Sequence, residues 1–373
     1  MIKNYSQTNN HLLSPSFLIT ILSIASFAIG FVSCTLDGKP GNESPVKSHS
    51  VITGAGSTFA NPIYSKMQSE YCTKTGLPSS YLAIGSSGGI KKIMSKTVDF
   101  GASDSYLSND DMSLFTSNVV EFPTCLGAVV ISYNLKGDSL LKLTPDIIAD
   151  IFLGKITKWN DPRIAAENKG AILSDQNITV VHRADGSGTT YVFTDYLSKV
   201  NEEWRNRVGV TRMATWPVGV EGDGNEGVAS VIKAIPGAIG YVELTYAMQK
   251  HIAFALIKNS SGKYIKASLE STSLAANVDI PADTRISITN SNVADAYPIS
   301  SFTWIIIYKE QSYNSRTKLD AIDLLKELSW MITEGQQYTK DLYYAPLPGK
   351  ALAAAQNVLQ SVTYAGTPVL KQE

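Results

Sequence analysis

The sequence has few cysteines and histidines and no excess of charge, and each shortage excludes a class of protein. Its 373 residues include 3 cysteines and 4 histidines, with 32 basic against 33 acidic side chains. The cysteines and histidines form no cluster with metal-ligand spacing, so we expect neither a metal site nor a cofactor. A net charge of −1 without a basic stripe argues against nucleic-acid binding. Any affinity for an anion must therefore come from a local site.

Long apolar runs are also scarce, and the one near the N-terminus predicts export. Lys3 precedes the apolar run Phe17–Val32, which together with Ser33 predicts an export signal over residues 1–33. Val32-Ser33-Cys34 resembles the end of a bacterial lipobox, in which Cys34 would carry lipid and become the new N-terminus. The alternatives are cleavage after another small residue or an uncleaved anchor helix. All three place the remaining chain in the periplasm or at the cell surface.

Residues 34–50 are rich in Gly, Pro, Ser and Lys, which predicts a flexible tether between membrane and domain. If Cys34 carries lipid, Cys72 and Cys125 remain. They could pair in an oxidising compartment, or each could be buried separately as a small apolar side chain. The sequence leaves this choice open.

From Val51 onward, short apolar runs alternate with segments of helical spacing, a pattern typical of α/β proteins. The apolar strands Leu126–Tyr133 and Ser301–Tyr308 are candidates for chain crossings between two lobes. Lys258–Asn292 is polar and weakly patterned, so we expect a surface excursion. Gly219–Gly227 is glycine-rich and acidic, and we expect a solvated loop.

Three turns place glycine beside serine or threonine where a helix should begin. They are Thr53–Thr58, Gly85–Gly89 and Ala184–Thr189. A helix start carries unpaired N–H groups and the positive end of the helix dipole, which favour an anion. Arg183 and Asp185 accompany the third turn. Together the turns predict a pocket for a small, highly charged oxyanion.

Four segments resemble the phosphate-binding protein of bacterial ABC phosphate importers. They are Ile52–Phe59, Ile84–Gly89, Val98–Asp104 and Arg183–Thr189. Further similarity lies in Leu153–Trp159, Val200–Trp204 and Pro236–Glu243, so the resemblance runs from Val51 to about Leu347. It implies a type II, two-lobed periplasmic-binding-protein fold of class α/β, each lobe a mixed sheet flanked by helices, with a two-strand hinge. Lobe I would comprise residues 51–130 and 303–373, and lobe II residues 131–302.

The resemblance also implies the site, a non-enzymatic function and the partners. The ligand-contacting residues would be Thr58, Phe59, Ser86, Asp104, Arg183, Ser187, Gly188 and Thr189, with Asp185 beside Arg183. The chain departs from the family at His182, where relatives often have a second arginine, and at Ala60-Asn61. The implied partners are inorganic phosphate and the permease subunits of the importer, and we expect a monomer.

The proposed residues suit a buried phosphate, which must regain the hydrogen bonds it had in water. Hydroxyls and main-chain N–H groups can donate, and Arg183 offers a planar fork to two oxygens. Asp104 can accept the proton that phosphate keeps near neutral pH, whereas sulfate has none to give. An unpaired, buried acceptor facing sulfate would cost several kcal/mol, or about 10⁴–10⁵ in selectivity.

Two other functions compete. Gly85–Gly89 matches the G-x-S-x-G pattern of serine hydrolases with Ser87 as nucleophile, and beyond the tether only His182 and His251 could serve as its base. The second alternative is a phosphate receptor that signals without a permease.

Overall fold

The computed structural model describes residues 50–137 and 140–370. The predicted export signal, most of the tether and Cys34 lie outside these residues. None of the helices that the model describes is both long enough and apolar enough to cross a bilayer.

The strands, in chain order, form one large mixed sheet and two small ones. They are β1 (Ile52–Gly56), β2 (Ser79–Ala83), β3 (Phe100–Ser103), β4 (Val119–Tyr133), β5 (Lys142–Leu143), β6 (Thr179–Arg183), β7 (Val220–Gly222), β8 (Ala238–Glu243), β9 (Ala253–Phe254), β10 (Leu256–Lys258), β11 (Tyr264–Ile265), β12 (Ser300–Tyr308), β13 (Thr363–Tyr364) and β14 (Thr367–Pro368).

Helices connect most of these strands. They are α1 (Asn61–Thr75), α2 (Ser86–Met94), α3 (Asn109–Ser113), α4 (Pro145–Phe152), α5 (Pro162–Glu167), α6 (Gly188–Val200), α7 (Glu202–Arg207), α8 (Gly224–Ala234), α9 (Leu244–Gln249), α10 (Leu269–Ala275), α11 (Lys318–Ile332) and α12 (Gly349–Gln360). Two 3₁₀ turns, Glu334–Tyr338 and Lys340–Leu342, follow α11.

The large sheet has two halves that share strand β4. Its order is β2-β1-β3-β12-β4-β8-β6-β7, with β9 also on β4. Residues Val119–Ala128 of β4 pair with β12, and Val129–Tyr133 pair with β8. We call β2, β1, β3, β12 and Val119–Ala128 the first sheet half, and Val129–Tyr133, β8, β6 and β7 the second sheet half. The predicted crossing at Leu126–Tyr133 therefore lies where β4 changes partners.

The central strands are buried along their whole length, as their continuous apolar runs predict. Every residue of β12 is buried, and so is nearly all of β4. A strand covered on both faces by helices needs no polar alternation. Helix α11 turns Leu324, Leu325 and Leu328 into the same core, which follows from their helical spacing.

Two segments that we expected at the surface take part in the fold instead. Gly219–Gly227 contributes β7 and the first turn of α8, and Asn225 is fully buried. Lys258–Asn292 contains β11 and α10, and its Ser287 hydroxyl donates to Asp195 Oδ2 (2.6 Å). In both segments polar side chains are buried because they bond to other elements, which composition does not reveal.

The cysteines that follow the tether do not pair with each other. Cys125 is a free, buried thiol on β4, and Cys72 lies on the buried face of α1. Of the two arrangements left open by the sequence, pairing of Cys72 with Cys125 is wrong, because Cys125 is free. Burial raises the pKa of the Cys125 thiol well above its usual range, so this thiol stays protonated at neutral pH.

Candidate functional site

The second and third Ser/Thr-glycine turns follow strands β2 and β6, whereas the first, Thr53–Thr58, overlaps β1 and only Ser57 and Thr58 lie beyond the strand. In the first sheet half β1 and β3 are parallel, with Gly56 opposite Ala102, so Thr58 and Asp104 leave the sheet on the same side. Parallel strands end at a common edge, where ligands of α/β proteins bind. In the second sheet half β6 leads through Arg183 to α6, whose N-cap is Ser187.

The second and third turns touch directly, although 102 residues separate Ser86 from Gly188. Ser86 Oγ accepts hydrogen bonds from the N–H groups of Gly188 (3.0 Å) and Asp104 (3.3 Å). The N–H of Ser87 donates to the carbonyl of Gly186 (2.9 Å). A Cβ at Gly188 would clash with Ser86 Oγ and lie 2.6 Å from Asp104 Oδ2. Only glycine permits this approach of the two turns.

The first turn joins the third through Asn225. Thr58 Oγ1 accepts from Asn225 N (3.1 Å) and from Asn225 Nδ2 (3.0 Å). The same Nδ2 donates to Thr189 Oγ1 (2.9 Å), which also accepts from Arg183 Nη1 (3.2 Å). Asn225 Oδ1 accepts from the N–H of Glu243 (2.9 Å). One buried amide thus links hydroxyls that belong to both sheet halves.

Arg183 is a buried cation with a fixed partner. Its side chain is 1% exposed, and it contacts Asp185 through Nε (2.6 Å) and Nη2 (2.5 Å). Asp185 Oδ1 also accepts from the N–H of Gly224 (3.2 Å). Burial alone would raise the pKa of Asp185, but the hydrogen bonds and charge of Arg183 lower it. The pair is therefore ionised at neutral pH, with the guanidinium held in one orientation.

Asp104 is a buried carboxylate with no ion-pair partner among residues 50–137 and 140–370. It is 2% exposed, and its Oδ1 accepts from the hydroxyls of Ser57 (2.5 Å) and Thr303 (3.0 Å). Its Oδ2 faces Gly188. Burial raises the pKa of Asp104 to about 7, although the two hydroxyls and the charge of Arg183 oppose the rise. The carboxyl can therefore change protonation state near neutral pH.

All the predicted contact residues lie in this region, but two side chains have structural roles. The Phe59 ring packs at the position where Gly127 lacks a Cβ, and it meets Tyr344 edge-on at 6.2 Å. Ser187 Oγ accepts from Thr190 N (3.0 Å) and caps α6. Hydrogen bonds join the others in two groups. Ser86 bonds to Asp104 and Gly188. Arg183 bonds to Asp185 and Thr189, and Asn225 links Thr189 to Thr58.

The sequence analysis missed three polar residues of this network. They are Ser57, Thr303 and Asn225. Ser57 lies inside the first turn, and Thr303 alternates with Ser301 in the apolar run of β12, so polar side chains at period 2 were a usable signal. Asn225 follows Asp223, the N-cap of α8, at the start of the helical spacing Val228, Ile232. That capping pattern predicts a helix start there.

Arg212 links the segment that follows α7 to the residues that follow β3. Arg212 contacts Asp111 through Nη1 (2.9 Å) and Nη2 (2.7 Å) and Ser105 Oγ through Nε (2.7 Å). Its own carbonyl accepts from the N–H of Ser187 (2.8 Å). The ion pair is partly buried, with both side chains 18% exposed. Arg212 therefore connects the third turn to the segment that follows Asp104.

The geometry gives no support to a serine hydrolase. His182 stacks on Trp216 at 4.8 Å, and its Nδ1 lies 3.3 Å from the carbonyl of Arg183. No hydrogen bond within residues 50–137 and 140–370 joins Ser87 to a histidine. A serine nucleophile needs a base within hydrogen-bond reach.

Comparison with known proteins agrees with this architecture. Residues 42–334 match the family model described as a PBP superfamily domain. The phosphate-binding protein PstS of Xylella fastidiosa is 42% identical over 302 residues, which cover 80% of this chain and 81% of that protein. The PstS of Pasteurella multocida is 40% identical over 310 residues, which cover 82% and 88%.

A solved structure shares the fold at low sequence identity. It is a high-affinity periplasmic phosphate-binding protein with phosphate bound, 21% identical, with a TM-score of 0.66 over 86% of this chain and all of that one. The predicted two-lobed type II fold is confirmed. The chain therefore belongs to the PBP superfamily and, within it, to the PstS family of phosphate-binding proteins.

Proposed function

We propose that this protein captures inorganic phosphate outside the cytoplasm and delivers it to an ABC permease by cleft closure. The observation that carries the proposal is the convergence of the three turns on Ser86, Thr58 and Thr189, with Asp104 beside them. The PstS relatives, more than 30% identical over most of the chain, support the choice of ligand.

Phosphate would be held by donors from both sheet halves. The hydroxyls of Thr58, Ser86, Ser187 and Thr189 and the N–H groups of Phe59, Gly188 and Thr189 would surround it, with the Arg183 guanidinium on two oxygens. The N–H of Gly188 donates to Ser86 Oγ, and a phosphate oxygen would share this N–H as a second acceptor. The Asp185 carboxylate would hold Arg183 for this contact.

Asp104 would distinguish phosphate from sulfate. Its Oδ1 is already bonded to two hydroxyls, and Oδ2 faces the third turn. Oδ2 would accept the proton of phosphate, which sulfate lacks. An ionised, buried Oδ2 facing a sulfate oxygen would be left unpaired beside a like charge. Selectivity would follow from this repulsion because the two anions have nearly the same shape.

Closure would bring lobe I (residues 51–130 and 303–373) against lobe II (residues 131–302). Hydrogen bonds from Arg212 to Asp111 and from Ser87 to Gly186 fit a closed arrangement. Opening would break these bonds and leave each set of donors on its own lobe. The permease would bind the closed, loaded protein, as hinge closure in such receptors allows.

Export and anchoring complete the proposal. Residues 1–33 would direct secretion, Cys34 would carry lipid, and residues 34–50 would tether a monomeric domain to the membrane. Mass spectrometry of the mature protein tests this point, because lipidation predicts an N-terminal diacylglyceryl-cysteine at position 34. An unmodified N-terminus elsewhere would contradict it.

Calorimetric titration of the purified protein with phosphate, and separately with sulfate, tests the function. We expect tight phosphate binding and, near pH 8, sulfate binding weaker by about 10⁴-fold or more. Equal affinities, or no phosphate binding, would overturn the proposal. Hydrolysis of a phosphate or carboxylate ester that Ser87→Ala abolishes would instead establish the hydrolase.

A further inference from the structure

We propose that Asn225 is a positioning residue that fixes the hydroxyls of Thr58 and Thr189 as hydrogen-bond donors toward the ligand. The inference rests on the proposed function, because it concerns how the same site holds its anion. Asn225 is fully buried at the first turn of α8. It lies in the segment that composition alone assigns to a solvated loop.

The orientation of the Asn225 amide follows from its neighbours. The N–H of Glu243 can only donate, so the Asn225 atom 2.9 Å from it must be the carbonyl Oδ1. The other end of the amide, Nδ2, must then face Thr58 Oγ1 (3.0 Å) and Thr189 Oγ1 (2.9 Å). The main-chain N–H of Glu243, on β8, therefore determines which end of the side chain reaches the site.

Counting lone pairs gives the consequence for the two hydroxyls. A hydroxyl has one hydrogen to donate and can accept two hydrogen bonds. Thr58 Oγ1 accepts from Asn225 N and Nδ2, and Thr189 Oγ1 accepts from Asn225 Nδ2 and Arg183 Nη1. The protein fills both acceptor positions of each oxygen. Each threonine can then only donate.

Ser86 follows the same rule without Asn225. Its Oγ accepts from the N–H groups of Asp104 and Gly188, so its hydrogen also remains for the ligand. Three hydroxyls at the site are thereby restricted to donation, and Asp104 Oδ2 is the acceptor beside them. Such a site requires a ligand with several bare oxygens and one O–H, placed toward Asp104.

Replacing the amide by a carboxylate of the same shape tests the role of Asn225. In Asn225→Asp an acceptor replaces Nδ2, so the two threonine hydroxyls would donate to the new carboxylate instead of the ligand. We expect phosphate affinity to fall about 100-fold or more, since two hydrogen bonds to a charged ligand are lost. The affinities for phosphate and sulfate should fall by similar factors, because Asp104 is unchanged.

A double-mutant cycle separates positioning from support of the fold. The cycle uses Asn225→Ala, which removes the Nδ2 bonds to both threonines without adding a charge. In the background Thr58→Val with Thr189→Val it should cost less than about 3-fold, because the hydroxyls through which it acts are gone. If Asn225 only supported the fold, its replacement would cause the same loss of phosphate affinity in the valine background as in the wild-type background. The matched control is Asn259→Asp, a buried amide whose Nδ2 donates to the carbonyls of Ala294 and Ala296. The phosphate affinity of Asn259→Asp should stay within about 2-fold of wild type.

The outcomes distinguish this inference from the proposed function. If wild type binds phosphate but Asn225→Asp binds as well as wild type, or the losses are additive, the positioning role is wrong and the proposed function stands. If wild type fails to bind phosphate, both fall. Should Asn225→Asp not fold, as judged by circular dichroism, the cycle with Asn225→Ala carries the test alone. This variant removes the Nδ2 bonds to both threonines, and we expect about a 10-fold loss that disappears in the valine background.

Discussion

Arg183 and Asp104 are both buried charged side chains of the proposed site, and their surroundings differ in one respect. Arg183 has a counter-ion, Asp185, in two-point contact. Asp104 accepts from two hydroxyls and has no ion pair within the part of the chain that the structure describes, and burial raises its pKa to about 7. The ion pair thus fixes the charge at Arg183, whereas the Asp104 carboxyl can gain or lose a proton near neutral pH. In the proposed site, hydrogen-bond direction would therefore select the ligand more than net charge does.

Arg183→Met should have the largest effect. It removes the guanidinium from the ligand and leaves Asp185 without its ion pair, so we expect phosphate affinity to fall about 1,000-fold or more and the free energy of unfolding to fall by about 3 kcal/mol. Calorimetry and chemical denaturation measure the two quantities. Arg163→Met, which removes an exposed arginine paired with Asp150 and Asp161, is the control and should leave binding unchanged. If Arg183→Met bound phosphate as tightly as wild type, Arg183 would not be a ligand contact.

Asp104→Asn should act on selectivity and, unlike Arg183→Met, should stabilise the protein. We expect the preference for phosphate over sulfate to shrink about 100-fold, because an amide can donate to sulfate. Asp195→Asn is a matched control, since Asp195 Oδ2 also accepts from two hydroxyls, those of Ser287 and Thr289. Its selectivity should not change. An unchanged ratio in Asp104→Asn would contradict the proton-accepting role.

The sign of the stability change follows from the pKa. The folded state holds the Asp104 pKa at about 7, above the ordinary value of about 4 for an unfolded aspartate. The native carboxyl therefore binds a proton more tightly than the unfolded one, and stability falls as pH rises from about 4 to about 7. Asp104→Asn should raise the melting temperature near pH 8 and have less effect near pH 4. If Asp104→Asn melted at a lower temperature than wild type near pH 8, Asp104 would not be an unpaired charge in the folded protein.

A change of pH should alter the phosphate-over-sulfate selectivity of the wild-type protein less than Asp104→Asn does. Because the Asp104 pKa is raised to about 7, the carboxyl is ionised mainly above that pH and can donate to sulfate below it. We expect the phosphate-to-sulfate affinity ratio to fall about 10-fold between about pH 8 and about pH 6. Competition titrations at matched ionic strength measure the ratio, with Asp104→Asn as the pH-insensitive reference. A ratio that rises on acidification would reverse the assigned protonation.

Arg212→Gln should have the smallest effect, because it acts on closure and not on ligand contacts. Losing the two-point contact with Asp111 should raise the phosphate dissociation rate about 3- to 10-fold, as expected for a partly exposed ion pair. Stopped-flow release of phosphate measures it. The control is Arg207→Gln, which breaks an exposed pair with Glu203 on one helix. Equal rates in both variants and wild type would exclude Arg212 as a closure contact.

The sequence predicted the parts of the site that local chemistry encodes. Glycine beside serine at a strand end indicated the second and third turns, with Arg183 and Asp185 beside the third, and the resemblance added Asp104. Asn225 was not predicted because the sequence around it, Gly-Asp-Gly-Asn-Glu-Gly, is typical of a loop. Its role also depends on Thr58, which is 167 residues away. Thr303 contacts Asp104 across 199 residues. Long-range pairing of this kind is set by the order of strands in the sheet, which periodicity does not determine.

The central claim is that donors from both sheet halves surround phosphate and that Asp104 accepts its proton. A crystal structure of the phosphate complex tests this most directly. We expect the anion among Thr58, Ser86, Arg183 and Thr189, with one phosphate oxygen within about 2.7 Å of Asp104 Oδ2, as for a short O–H···O⁻ bond. Phosphate bound elsewhere, or held with Asp104 Oδ2 turned away from it, would contradict the account.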